Sequence, residues 1–270
     1  MYVAVRIFAA FTLALTPVSA SIPEPPSAHQ LVTTLLSNER NAIAHRQHYI
    51  YLSKERSDRT NGHLWTERVV ETNTGKVRFL IAEDGHPPTA KQTADERSRL
   101  ATMLRDPAPF ERRELIIKTD ETHAQQMLEI LPSAFLFDPP TLEGPYLRIA
   151  FRPNTSYQPA GFQERVLHAM SGSMLVDKTD LRLHSINARL PQDVSFGYGF
   201  LATIRAGSHF ATTRAPISNG EWKTSVIETA IYGRAIFFKA ISKNENAEHF
   251  DFKQVPADLT LTQAVEMVER

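Results

Sequence analysis

The chain has 270 residues, 42% hydrophobic and 22% charged, enough apolar content to build a core without metals or disulfides. Thirty basic residues balance thirty acidic ones, so the basic excess on which phosphate-backbone binding depends is missing, and no nucleic-acid partner is expected. The absence of cysteine excludes disulfides, thiolate nucleophiles, iron–sulfur clusters and Cys-ligated zinc, and it suits an oxidising compartment.

Arg6 is the only charge before the apolar run Ile7 to Leu15. Pro17 then breaks any helix, and Val18-Ser19-Ala20 places small residues where signal peptidase reads them. The pattern predicts a signal peptide over residues 1–20, cleaved between Ala20 and Ser21, and export to the periplasm or beyond. No other run reaches the ~18 apolar residues of a membrane span, so the mature protein is expected to have none.

Residues 21–28 carry Pro23, Pro25 and Pro26 and read as a short extended linker. Ser27 with Gln30 makes a capping box and opens a helix with apolar positions at Leu31, Val32, Leu35, Leu36, Ala42 and Ile43. From Gln47 the period changes to two. Tyr49 and Tyr51 alternate with Ile50 and Leu52, Leu64 to Val70 makes a second strand, and Lys76 to Glu83 a third, with Val77, Phe79 and Ile81 on one face. Asn61-Gly62 and Asn73-Thr74-Gly75 mark the turns of this antiparallel meander.

Thr89 with Gln92 caps a charged helix that runs to Asp106-Pro107, and a further helical pattern spans Glu111 to Leu131, stopped by Pro132. Phe135 to Asp138 and Tyr146 to Phe151 are expected to pair around Pro139 to Gly144. A short helix, Phe162 to Ala169, precedes Ser173 to Asp177. The strands Leu181 to Leu190, Phe200 to Arg205, Phe210 to Ala215, Glu221 to Tyr232, Ala235 to Ile241 and His249 to Gln254 follow, with turns at Asn219-Gly220 and Gly233-Arg234. A last helix is expected through Leu261, Val265 and Val268. About eleven strands with so many hairpin signals predict one large, curved antiparallel sheet in a single domain over residues 29–255, followed by a tail over 256–270.

Catalytic and metal motifs are weak. None of the ten histidines has the H-x-x-x-H, H-x-H or H-E-x-x-H spacing that sets two ligands on one face, so no metal and no cofactor is expected. Ser171-Gly172-Ser173 runs from helix to strand without the flanking glycines of a nucleophile elbow. Gly197-Tyr198-Gly199 lacks the third glycine and following helix of a phosphate loop. Asp177-Lys178-Thr179-Asp180 has two carboxylates that could hold a cation, but an Asp-based hairpin turn accounts for it better. No pair among the 30 acidic residues stands out for glycoside hydrolysis. The remaining candidates are large apolar side chains on strands: Trp65, Phe79, Ile81, Phe200, Ile204, Phe210, Trp222, Ile231 and Phe237. In a two-layer protein they are core; in an incomplete barrel closed by helices they line a cavity for acyl chains.

The order of elements is similar to that of the outer-membrane lipoprotein carrier (LolA/LolB-like) superfamily, and to an uncharacterised secreted bacterial branch within it. The resemblance covers about Leu31 to Val255. It rests on Gly172-Ser173-Met174-Leu175-Val176-Asp177 through Arg182-Leu183, on Phe196-Gly197-Tyr198-Gly199-Phe200-Leu201-Ala202 through Arg205, Gly207-Ser208 and Phe210, and on Asn219-Gly220-Glu221-Trp222 and Gly233-Arg234-Ala235-Ile236-Phe237-Phe238-Lys239. What the resemblance implies is an unclosed half-barrel with helices plugging the concave side, carrying acyl chains or other lipids without a cofactor. The expectation is thus a non-catalytic envelope protein that binds a lipid, a lipoprotein acyl chain or another hydrophobic ligand, with an envelope protein as a further partner. The alternatives are a structural or protein-interaction module with a filled core and, more distantly, a hydrolase.

Overall fold

The computed structural model describes residues 26–197, 201–217, 219–235 and 239–270. The described residues form six helices and thirteen strands, all strands belonging to one antiparallel sheet. Helix α1 (Ala28–Ala44) precedes the meander β1 (His48–Ser57), β2 (Leu64–Glu71) and β3 (Lys76–Glu83). Helices α2 (Ala90–Arg105), α3 (Ala108–Leu128) and α4 (Leu131–Ala134) come next. Then follow β4 (Phe135–Phe137), β5 (Thr141–Glu143), β6 (Tyr146–Pro153), α5 (Phe162–His168), β7 (Ser171–Asp177) and β8 (Leu183–Arg189). The chain ends with β9 (Val194–Phe196), β10 (Ala202–Ile204), β11 (His209–Pro216), β12 (Trp222–Ala235), β13 (Lys239–Val255) and α6 (Leu261–Glu269). The main path runs β3-β2-β1-β13-β12-β11-β8-β7-β6-β4, and its two ends do not pair, so the sheet is not closed.

Several local signals act as the sequence suggests. Both capping boxes form, Ser27 with Gln30 and Thr89 with Gln92, and a third, Thr260 with Gln263, opens α6. Asn61 and Gly62 take left-handed φ of 51° and 79° in the β1–β2 turn. Asp177 accepts the N–H groups of Thr179 and Asp180 at 2.8 and 2.9 Å, so its turn is built by its own carboxylate.

Other boundaries differ. The helix expected over Glu111 to Leu131 starts at Ala108 and ends at Leu128, and Pro132 sits in the first turn of α4, where it lacks only an N–H the helix does not need. Gly233-Arg234 is no turn. It lies inside β12, paired with Ile204 and Thr203 of β10, and a Cβ on Gly233 would fall 2.4 Å from the Thr203 carbonyl oxygen. That glycine serves a close backbone approach rather than a reversal. Of the strand expected over Ala235 to Ile241, Ala235 ends β12 and residues 236–238 lie outside the described residues. Residues 239–241 run on through His249 to Gln254 in one 17-residue strand, β13, since the polar stretch between them contains no glycine or proline to end it.

Cross-strand pairs share a face, and the register traces one continuous row: Ile149, Met174, Ile186, Thr212, Ile227, Ala247, Glu55 and Trp65. The row begins apolar and carries Glu55 near its other end, beside Trp65. At its apolar end this inner face is covered by α1 and α4, whose Leu31, Val32, Leu35, Leu36, Leu131 and Ala134 pack on Ile149, Phe151, Met174 and Ile186. At its other end the sheet buries the opposite face. Val70, Val77 and Phe79 pack there on Leu100 and Met103 of α2, Phe110 of α3 and Ala264, Val265 and Val268 of α6. Each fully buried aliphatic side chain contributes about 1.5–3 kcal/mol, so these two larger cores hold the sheet from opposite faces, with a third, smaller cluster of Tyr49, Tyr51 and Val69 packed with Phe252 and Ile217.

Helix α3 joins these two cores. Phe110 belongs to the outer-face core, and α4, just beyond α3, belongs to the inner-face core. Between them only Glu114 is buried, while Leu115 and Ile116 are 64% and 62% exposed. The helix is a strap fixed at its ends and lightly held along its middle.

Candidate ligand cleft

Where the inner face turns polar, a cleft of about 370 Å³ separates the sheet from α1 and α3. Its floor is Tyr51, His249, Phe252, Trp222, Thr224 and Ile227, and its helical wall includes Ala42, Ile43, Glu121, Ala124 and Gln125. It adjoins a pocket of about 110 Å³ and, further along α3, a second cleft of about 430 Å³, with Lys76 in the wall of all three.

Two β-bulges assemble the floor. In β13 the register shifts at Asp251, which adopts a left-handed φ of 57°. With that residue set aside, His249 and Phe252 both face inward onto Tyr51, although one position is odd and the other even. Phe252 stacks on Tyr51 with ring centroids 4.9 Å apart, and His249 lies 5.2 Å away on the same ring. In β12 a second shift, at Ser225, brings Trp222 and Thr224 to the same face as Ile227.

The rim is charged. Glu39 of α1 accepts from Arg182 Nε at 2.9 Å, from the Leu183 N–H at 3.0 Å and from Arg214, all three side chains being largely buried. Burial pushes the Glu39 carboxyl up, but the two guanidiniums outweigh it and hold the pKa below the ordinary carboxylate value. Lys223 lies 3.2 Å from Glu221 and 3.6 Å from Glu71, with its ammonium 4.2 Å from the centre of the Tyr49 ring. Tyr49 donates to Glu221 at 2.7 Å, and burial together with that carboxylate pushes its hydroxyl up to about 12. Burial, reinforced by Arg78 and Lys76, pushes His249 down to about 4, so its imidazole is neutral at neutral pH. Across the second cleft, Arg59 bridges Glu55 and Glu67 at 2.7 and 2.5 Å and lies over the Trp65 ring.

Comparison of the chain with family models, with curated proteins and with solved structures gives no match.

Of the nine apolar residues singled out in the sequence, two line a cleft: Trp222 in the first and Trp65 in the second. Phe79 and Ile81 belong to the outer-face core, and Ile204, Phe210 and Ile231 to the inner-face core. Phe200 and Phe237, and the cleavage pair Ala20 and Ser21, lie outside the described residues. Phe79 shares its face with Val77, as the alternation implies, but that face is the one beneath α2 and α6. The charged side chains Glu39, Arg46, Lys76, Arg182, Arg214 and Lys223 carry no cleft signal in the sequence, because on a strand or a helix end they look like ordinary solvated positions. Signals that pointed toward the cleft were the Tyr49–Tyr51 alternation and the Glu221-Trp222 pair after a tight turn. Among the described residues no three His, Asp or Glu side chains cluster as a metal site, and no helix is long and apolar enough to cross a membrane.

Proposed function

We propose that the protein is a non-catalytic, exported binding protein that takes an amphipathic ligand beneath α3, its apolar part against the inner-face floor and its polar part along the charged rim. The observation that carries this reading is the cleft itself. A volume of about 370 Å³ lies at the lower end of the range for ligand sites, room for one small amphiphile or one acyl chain. Its wall combines Tyr51, Trp222, Phe252, Ile43 and Ile227 with charged groups of both signs, a lining suited to a ligand with two chemically distinct ends. The lightly held middle of α3 supplies a route in, since displacing it breaks few buried contacts. The resemblance to lipoprotein carriers supports the same class of ligand.

The test is binding by the mature protein. Purification from the envelope without detergent, followed by lipid extraction and mass spectrometry, is expected to recover one class of amphiphile. Ala124→Trp, an exposed helix position on the cleft wall, is expected to weaken uptake with little change in the ligand-free Tm. N-terminal sequencing of the exported protein is expected to begin at Ser21. An absence of any co-purified or added amphiphile would favour a scaffold instead, a reading supported by how completely α1 and α4 fill the apolar end of the inner face.

A further inference from the structure

Within that reading, the ligand's polar end can be specified from the pocket of about 110 Å³ that adjoins the cleft. The charged groups around it fall into two sets. Every carboxylate there is committed: Glu71 accepts the Tyr49 N–H at 3.1 Å and faces Lys223, Glu114 accepts the Lys76 N–H at 3.1 Å, and Glu121 faces Lys76 at 3.7 Å. Arg78 is likewise committed, to Glu67 at 3.2 Å. Two cations are not. Among the described residues, Arg46, just past the end of α1, makes no ion pair, and Lys118 of α3 donates only to the Asn73 carbonyl oxygen. Beside them the Nδ1 of His48 is buried without a hydrogen-bond partner. A pocket that gathers two unneutralised cations and an unpartnered imidazole nitrogen, in a chain of zero formal net charge, is arranged for an anion.

We infer that the amphiphile is anionic, with a phosphate or carboxylate head seated between Arg46 and Lys118 and its chain running into the cleft toward Phe252 and Trp222. The head bridges α1 and α3, so binding also pins the strap that covers the chain. This inference rests on the proposed cleft function, and the experiment separates the two.

The full mature chain is titrated below micelle-forming concentrations with dodecyl phosphate, laurate, dodecyl maltoside and inorganic phosphate, followed by calorimetry and tryptophan fluorescence. The same titrations are run on the double variant Arg46→Gln/Lys118→Gln. Both positions are exposed, so the variant is expected to keep the wild-type unfolding midpoint. The anionic amphiphiles are expected to bind at least about tenfold more tightly than the maltoside, the scale of one hydrogen bond to a charged group. The double variant is expected to lose that preference while still binding the maltoside, and added salt should weaken only the anionic ligands. Equal affinity for charged and neutral amphiphiles overturns the inference and leaves the cleft reading standing. Binding of inorganic phosphate as tightly as dodecyl phosphate also overturns it, since the chain would then contribute nothing. Failure of every amphiphile removes the cleft reading and the inference with it.

Discussion

Replacing Glu39 with glutamine tests how α1 is fixed over the sheet. The carboxylate neutralises Arg182 and Arg214 and also accepts the Leu183 N–H, and its side chain is only 17% exposed. The amide keeps the shape and loses the charge, leaving two largely buried guanidiniums without a counter-ion. Breaking a buried pair from one side costs about 3–5 kcal/mol, and partial exposure puts this network near the low end, about 3 kcal/mol. For a domain of this size that is a fall in Tm of about 6–12 °C. Because the pKa of Glu39 is depressed in the folded state, its contribution is fully present above the ordinary carboxylate pKa of 4.5 and disappears as pH falls through the lowered folded value. The gap between wild type and variant, measured by urea unfolding across a falling pH series, is therefore constant at neutral pH and expected to narrow once the pH drops below 4.5. Adding Arg214→Leu to the variant is expected to recover part of the loss, because it removes one stranded charge. A loss below about 1 kcal/mol at pH 7, or a gap that does not begin to narrow below pH 4.5, would refute this account of the network.

Two further outcomes follow from the cleft and the sheet. Folded His249 stays neutral down to about pH 4, whereas the unfolded residue takes up a proton near 6.5, so acid favours the unfolded state between those values by up to about 3 kcal/mol. His249→Phe is expected to flatten the stability profile across that window, and an NMR titration of the imidazole should show no protonation at pH 5.5. At Gly172 a Cβ would fall 1.9 Å from the Asn187 carbonyl oxygen, a backbone atom that cannot move without opening β7 from β8. Gly172→Ala is expected to cost about 1–3 kcal/mol in thermal unfolding, against a negligible effect for an alanine at an ordinary exposed strand position.

Much of the fold is legible in the sequence because its signals are local. Ser27 with Gln30, Thr89 with Gln92, Asn61-Gly62 and Asp177 each fix a helix start or a turn through atoms within three residues, and each does so in the structure. What escapes local reading depends on partners far along the chain. Alternation shows that Val77 and Phe79 share a face, yet nothing near them says that α2 and α6 will cover that face while α1 covers the other face at the far end of the sheet. Gly75 is a similar case. As the end of an Asn-Thr-Gly turn it suggests a need for positive φ, but its φ is ordinary, and a Cβ there would fall 2.3 Å from Glu114 of α3. Large apolar residues on strands point only weakly to the cleft, whose chemistry lies largely in charged side chains with partners more than a hundred residues away, as with Glu39 and Arg182.

The bulge at Asp251 yields the most discriminating perturbation of the cleft floor. Removing one residue from a strand ordinarily turns every side chain beyond it to the other face. In β13 the outcome depends on which residue is removed. Ala247, His249, Phe252 and Gln254 all face inward, opposite Glu55, Ser53, Tyr51 and Tyr49, and only the extra residue at 251 makes that set compatible with a pleated strand. Deleting Asp251 straightens the strand and leaves all four inward. It also removes a residue held at a left-handed φ of 57°, a conformation Asp adopts more readily than most residues. Deleting Glu248 instead forces either Ala247 or His249, with everything beyond it, onto the wrong face of a strand paired with both β1 and β12. The Asp251 deletion is therefore expected to fold with stability within about 2 kcal/mol of wild type and to retain the Tyr51–Phe252 stack, visible in near-UV dichroism. The Glu248 deletion is expected to fail to fold. Equal damage from the two deletions would mean that the inward placement of His249 and Phe252 does not come from the bulge.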